Sequence, residues 1–156
     1  MNRAVTCDKI GRNRLCNFLL EPNCIQYYGA TLLSQSPHLV LCVDDEQVGL
    51  RVRKILLERA GYKVLTALDG VSGLELFATQ PIEAVILDYS MPGMHGGEVA
   101  QRMRLAKPHV PILLLSAYVG LPGEVTSLVD LHMTKGEGPP VLLHKLGTLL
   151  PPSDAS

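Results

Sequence analysis

Five short apolar runs punctuate the chain, and a stretch with helical spacing follows each of them. Leu39–Val43 is an unbroken apolar run that stops on Asp44-Asp45-Glu46. Runs of this length, bounded by turn formers, read as strands. Val48, Val52, Ile55 and Leu56 then recur as the apolar stripe of a helix, with Arg51, Arg53, Lys54 and Glu58 elsewhere, and Gly61 is placed to stop it. Tyr62–Ala67 reads as a second strand. Asp69-Gly70 starts a second helix with Val71, Leu74 and Ala78 as its stripe, and Pro81 closes it. Ala84–Asp88 is the third strand, and its helix runs from about Gly97, carrying Val99, Met103 and Ala106, to a stop before Pro108. Pro111–Leu115 is the fourth strand and ends on Ser116-Ala117. The pattern then weakens. Pro122 to about Ser127 reads as a helix of some two turns, and Leu128–Thr134 as a fifth strand that ends on Lys135. A last helix starts at Pro139-Pro140, where proline suits the first turn, and carries Leu142, Leu146 and Leu149.

Strands alternating with helices imply an α/β fold: a doubly wound parallel sheet with helices on both faces and right-handed crossovers. Strands one, three and four are almost wholly apolar, as central strands buried on both faces must be. The second and fifth are more polar and suit the edges. The expected five-strand order is therefore 2-1-3-4-5.

Composition narrows the function. The chain has 156 residues, 47% of them apolar and 19% charged, with a formal net charge of −1. That is one domain of ordinary size plus an appendage. No basic block points to direct contact with nucleic acid, and no apolar stretch is long enough to span a membrane. Residues 1–36 lack a sustained period and read as a poorly ordered N-terminal extension; 37–151 form the domain and 152–156 a tail. Of the four cysteines, Cys7, Cys16, Cys24 and Cys42, none falls in a CxxC pattern, and Cys42 reads as a small core residue. No signal-peptide core follows the early basic residues, so a cytoplasmic location is expected.

The chemistry lies where the strands end. All carboxyl ends of a parallel sheet share one edge, so Asp44, Asp45, Asp88, Ser116 and Lys135 converge there. Singly, each has a plain explanation: an aspartate after a strand is often a turn former or helix cap, a serine a turn residue, a lysine a solvated surface group. Five such accidents at one edge are another matter. Packed carboxylates repel and resist ionisation, and a hard divalent cation such as Mg²⁺, held by carboxylates, a carbonyl and water, removes the conflict. Asp88 then becomes a nucleophile for a phosphoryl group, with Ser116 and Lys135 placed to hold its oxygens.

These residues carry a resemblance. From about Leu39 to Leu150 the chain resembles the response-regulator receiver domains of two-component signalling, on Val43-Asp44-Asp45-Glu46, Asp88-Tyr89-Ser90-Met91-Pro92-Gly93-Met94-His95-Gly96, Ser116-Ala117 and Lys135. The resemblance implies a flavodoxin-like fold and phosphoryl transfer to Asp88 from a histidine kinase or phosphotransfer protein. It implies direct Mg²⁺ ligation by Asp45, Asp88 and the Ser90 backbone carbonyl, and action of Asp44 through water. Ser116 would be the switch hydroxyl and Lys135 the phosphoryl-binding lysine. Such a protein is not an enzyme in the ordinary sense, although it promotes its own phosphorylation and dephosphorylation. Shifting a two-state equilibrium from 1:99 to 99:1 takes about 5.5 kcal/mol, most of which two charged hydrogen bonds of roughly 1.5–3 kcal/mol each would supply. The elements displaced would be the loop after strand four and the weakly patterned 117–134 region.

Several positions depart from the family pattern. Gly136 follows the lysine where proline is usual. His132 aligns with an aromatic switch residue and is read either as a titratable switch or as a strand-edge histidine. The short helix before strand five alters a face that often mediates partner or homodimer contacts. Tyr118 would crowd the water that attacks the phosphate and so prolong it. His38, His95, His109 and His144 read as surface or turn residues. With six residues after Leu150 there is no room for an output module, so a stand-alone receiver or phosphorelay shuttle acting on an unknown downstream protein is expected. Two alternatives stand beside this reading. One is a docking module that needs no phosphate; the other is a haloacid-dehalogenase-like phosphatase, which would want an aspartate where Ser90 stands.

Overall fold

The computed structural model describes residues 37–150. The expected extension with Cys7, Cys16 and Cys24, and the tail, lie outside the described residues. Within them the elements run β1 (Leu39–Val43), α1 (Gln47–Arg59), β2 (Lys63–Ala67), α2 (Gly70–Thr79), β3 (Ala84–Asp88), α3 (Gly96–Ala106), β4 (Ile112–Ser116), α4 (Gly123–Thr126), β5 (Leu131–Thr134) and α5 (Pro139–Leu149). The strands form one parallel sheet in the order β2-β1-β3-β4-β5. The expected architecture and strand order are therefore those of the protein, and β1 and β3 have the boundaries read from the sequence.

Alternating side chains of the sheet feed two cores, one on each face. Leu41, Val43, Val85, Leu87, Ile112 and Leu114 pack with Phe77, Val99 and Met103 of α2 and α3. Val40, Cys42, Ile86, Leu113 and Leu115 pack with Leu50 and Leu57 of α1 and with Leu142 and Leu146 of α5. Cys42 is a core residue, and burial pushes its thiol pKa up to about 12.

Two helices match their expected faces only in part: Leu56 of α1 and Leu74 of α2 pack against the cores, but most of each expected stripe does not. In α1 the buried residues are Leu50 and Leu57, whereas Val48, Val52 and Ile55 are 68%, 57% and 48% exposed. The inward face is 50-53-54-57, so it carries Arg53 and Lys54 between its two leucines. An apolar-only reading cannot choose this face, because it requires a guanidinium to find a partner inside. In α2, Val71 and Ala78 are exposed, and the buried residues are Gly70, Gly73 and Phe77. A Cβ on Gly73 would come within 2.9 Å of a Val43 methyl, and one on Gly70 within 2.7 Å of a Val99 methyl. The glycines are the contact face because they let the helix approach closely. In α3, Val99 and Met103 are buried as expected, but Ala106 is exposed.

Helix α4 is one turn, shorter than the two expected, and β5 begins at Leu131 instead of Leu128. An arginine from α3 covers the connection. Arg104 Nε donates to the Leu128 carbonyl at 2.7 Å, and Nη1 donates to Pro108 and Val110 carbonyls at 2.9 Å each. Its Nη2 donates to Asp130 Oδ2, which also accepts the Ile112 N–H at 2.7 Å.

Candidate functional site

The carboxyl ends of β1, β3, β4 and β5 bring the expected residues to one edge. Asp88 is the last residue of β3, and the β3–β4 register pairs it with Leu115, so Ser116 lies one step further on the neighbouring strand. Ser116 pairs with Thr134 of β5, and Lys135 comes next. Asp44 and Asp45 follow β1 directly. Single oxygens of Asp44, Asp45 and Asp88 all lie within 4.8 Å of one another.

Asp88 is 1% exposed, and neither carboxylate oxygen has a hydrogen-bond partner of good geometry among the described residues. The Lys135 ammonium is an ionic neighbour, 3.0 Å from Asp88 Oδ1 and 3.3 Å from Asp44 Oδ2. Burial raises the Asp88 pKa above the usual carboxylate range; Lys135 pulls it back and the Asp44 charge adds to the rise. Burial works against the Lys135 charge, but the Asp88 and Asp44 carboxylates more than offset it and raise its pKa.

Asp44 is buried and almost fully engaged. Its Oδ1 accepts the Glu46 N–H at 2.8 Å, and its Oδ2 meets both Lys135 and the Arg53 guanidinium. Asp45 is exposed. Ser90 is exposed in the loop between β3 and α3, and no backbone N–H donates to its carbonyl among the described residues. Ser116 is buried, and its Oγ accepts the Tyr118 N–H at 2.9 Å. The Tyr118 side chain is exposed beyond it.

Local sequence explains this placement. Asp88 emerges from a fully buried strand, and the loop after it turns at Gly93, whose φ is +80°. Gly96 then packs directly on the Asp88 carbonyl and lies so close to Tyr89 that a Cβ would come within 2.8 Å of its Cα. His95 caps α3, its Nδ1 accepting the Gly97 and Glu98 N–H groups at 3.1 and 3.3 Å. After Lys135, Glu137 ties the loop by accepting the Thr134 N–H and hydroxyl, at 2.5 and 3.2 Å. His132 is exposed on the edge strand, and its carbonyl accepts from Lys145 Nζ at 2.8 Å.

The donor set fits a hard divalent cation. A buried carboxylate with little hydrogen bonding is costly, and here it lies beside a buried and an exposed carboxylate, the hard oxygen ligands that Mg²⁺ prefers. Arg53 is the residue of this site that apolar patterning missed. The signal was available in part: it stands three residues after Leu50 and four before Leu57, on their helix face.

Residues 40–142 match the model of the response regulator receiver domain. The chain belongs to that family. Among solved receiver structures, the response regulator TrrA of Thermotoga maritima, crystallised with Mg²⁺ and BeF, is 33% identical with a TM-score of 0.69, over 72% of this chain and 99% of that one. The chemotaxis protein CheY4 of Vibrio cholerae is 29% identical with a TM-score of 0.69, over 73% and 99%. Among curated relatives, the uncharacterized transcriptional regulatory protein YkoG of Bacillus subtilis is 37% identical over 57% of this chain. The autoinducer 1 sensor kinase/phosphatase LuxN of Vibrio campbellii is 32% identical over 79%. The chain spans 39% of the first of these relatives and 15% of the second. The receiver family places the protein in phosphorelay signalling, so the phosphate-independent docking module and the phosphatase are not favoured. No helix among the described residues is long and apolar enough to cross a membrane.

Proposed function

We propose that this receiver accepts a phosphoryl group on Asp88 from the phosphohistidine of a histidine kinase or phosphotransfer protein in the cytoplasm. An Asp88 oxygen bonds to phosphorus, the P–N bond breaks, and the imidazole nitrogen leaves with the electron pair. Asp45, Asp88 and the Ser90 carbonyl would hold Mg²⁺, with Asp44 acting through water. The metal would supply charge neutralisation at the phosphoryl oxygens. Lys135 needs no rearrangement to meet a phosphoryl oxygen, since its ammonium already lies at Asp88. Ser116 Oγ accepts the Tyr118 N–H and keeps its hydroxyl proton to donate to a phosphoryl oxygen, so one side chain would link the phosphoryl group to the loop after β4. That loop and the one-turn α4 are the elements expected to move, and a downstream protein would read them.

The observation that carries this reading is the buried Asp88 carboxylate, held between an acidic pair and the ammonium of Lys135. The donor's approach is supported by the exposed Val48, Val52 and Ile55 stripe of α1, a helix that begins at the same sheet edge. An apolar stripe of that spacing suits packing against helices of a donor domain. Incubation with acetyl phosphate and Mg²⁺, followed by intact mass measurement, tests the reading. Wild type gains one phosphoryl group and Asp88→Asn gains none; equal gain by both chains, or gain by neither, contradicts it.

A further inference from the structure

Arg53 is the group at this site whose role the phosphoryl chemistry does not explain. Its side chain is 14% exposed, it comes from the buried face of α1, and its guanidinium is paired with Asp44 Oδ2. The Nε of that guanidinium is buried without a hydrogen-bond partner among the described residues. Arg53 is thus held at one end only, by a carboxylate of the acidic cluster.

The surroundings leave it room. Gly49, one turn earlier on α1, has no Cβ where one would lie 3.2 and 3.5 Å from the two Arg53 terminal nitrogens and 3.4 Å from Glu46 Oε2. The Glu46 carboxylate is therefore a second anion on the same flank of the helix. Beside them opens a cleft of about 250 Å³, lined by Glu46, Val52, Arg53, Leu56, Lys135 and Leu142. A guanidinium that released Asp44 would have space and a counter-charge within reach.

Charge counting gives the consequence. Asp44, Asp45 and Asp88 contribute −3, and Lys135 and Arg53 +2, so the cluster stands at −1 before any metal arrives. A divalent cation would take it to +1 with Arg53 in place, and to zero without it. Charges this close in a partly dry site interact strongly, and Arg53 also occupies an oxygen of Asp44 that the metal's water would need.

We propose that Arg53 is a tethered competitor for the divalent metal. It holds Asp44 in the metal-free protein, and it must withdraw toward the cleft and Glu46 before metal binds at full strength. The inference rests on the proposed metal-assisted reading of the site. It makes the metal threshold of this receiver a property of α1, outside the acidic cluster itself.

Titration calorimetry of Mg²⁺ into the metal-stripped full chain tests it, with folding checked by circular dichroism. Arg53→Met should bind Mg²⁺ about tenfold more tightly than wild type. Arg53→Lys, which keeps the charge, should stay within about threefold of wild type. Arg53→Gln also removes the charge while keeping a polar side chain, and should shift affinity in the same direction as Arg53→Met; it carries the test if that variant fails to fold. A purely structural Arg53 would give the opposite sign, because its loss would loosen Asp44 and weaken metal binding. Equal or weaker affinity in Arg53→Met and Arg53→Gln overturns the competitor role and leaves the metal-assisted reading standing. No binding by any chain overturns both.

Discussion

The Asp88 carboxylate is buried and close to a second buried carboxylate, and these two causes, burial first, raise its pKa against the pull of Lys135. The stability consequence has a definite sign. An acid whose folded pKa lies above its unfolded value costs no stability while both states are protonated. Stability is then lost as pH rises from the unfolded value through the folded one, because the unfolded chain releases the proton first. Asp88→Asn is neutral throughout, so without metal it should melt at a higher temperature than wild type at pH 7, while being unable to accept phosphate. The gap should close as pH falls toward 4. Thermal melts in EDTA at the two pH values check this, and a variant less stable than wild type at pH 7 would contradict it. The proposed phospho-acceptor is thus held in a state that opposes the fold, and a metal or phosphoryl group would relieve that opposition.

Elements differ in how far the sequence foretells them. Strands were legible because Leu39–Val43, Ala84–Asp88 and Ile112–Ser116 are buried on both faces and so read as unbroken apolar runs. Their polar ends located the site, since a parallel sheet gathers those ends without further information. Helix faces were less legible. Gly70 and Gly73 carry no hydrophobic signal, yet they are contact residues because the helix lies so close to Val43 and Val99. Arg53 reads as a surface cation until the fold supplies Asp44 as its partner. The stretch between β4 and β5 was weakly patterned because only Val125 of it is buried, and Arg104, 24 residues before the Leu128 carbonyl it captures, adds order that no apolar period shows. Arg104→Ala would leave four acceptors without their donor and should cost roughly 1–3 kcal/mol, a fall in melting temperature of about 5–15 °C. An unchanged melting temperature would show that the one-turn α4 and its flanks are held by other contacts.

At the scale of the whole molecule, two surfaces meet at the site edge: the outer face of α1, and the loop after β4 with α4. The first carries exposed Val48, Val52 and Ile55, and the second carries the Ser116–Tyr118 contact through which a phosphoryl group held by Ser116 would reach the loop. The proposed division of labour is donor docking on α1 and read-out through the β4 side. Ile55→Glu puts a charge on the docking stripe without touching Asp88 or the cleft beside Arg53. It should slow phosphotransfer from a histidine-phosphorylated donor roughly tenfold, with labelling by acetyl phosphate unchanged. Equal loss with both donors would place the effect inside the site and not at a docking face.

The central claim is that the phosphoryl group resides on Asp88 and on no other carboxylate of the cluster. Borohydride reduction converts an aspartyl phosphate to homoserine, and peptide mass mapping then locates the converted residue. After treatment with acetyl phosphate and Mg²⁺, homoserine is expected at position 88, lost when Mg²⁺ is chelated. Homoserine at position 44 or 45, or none at any aspartate, would contradict it.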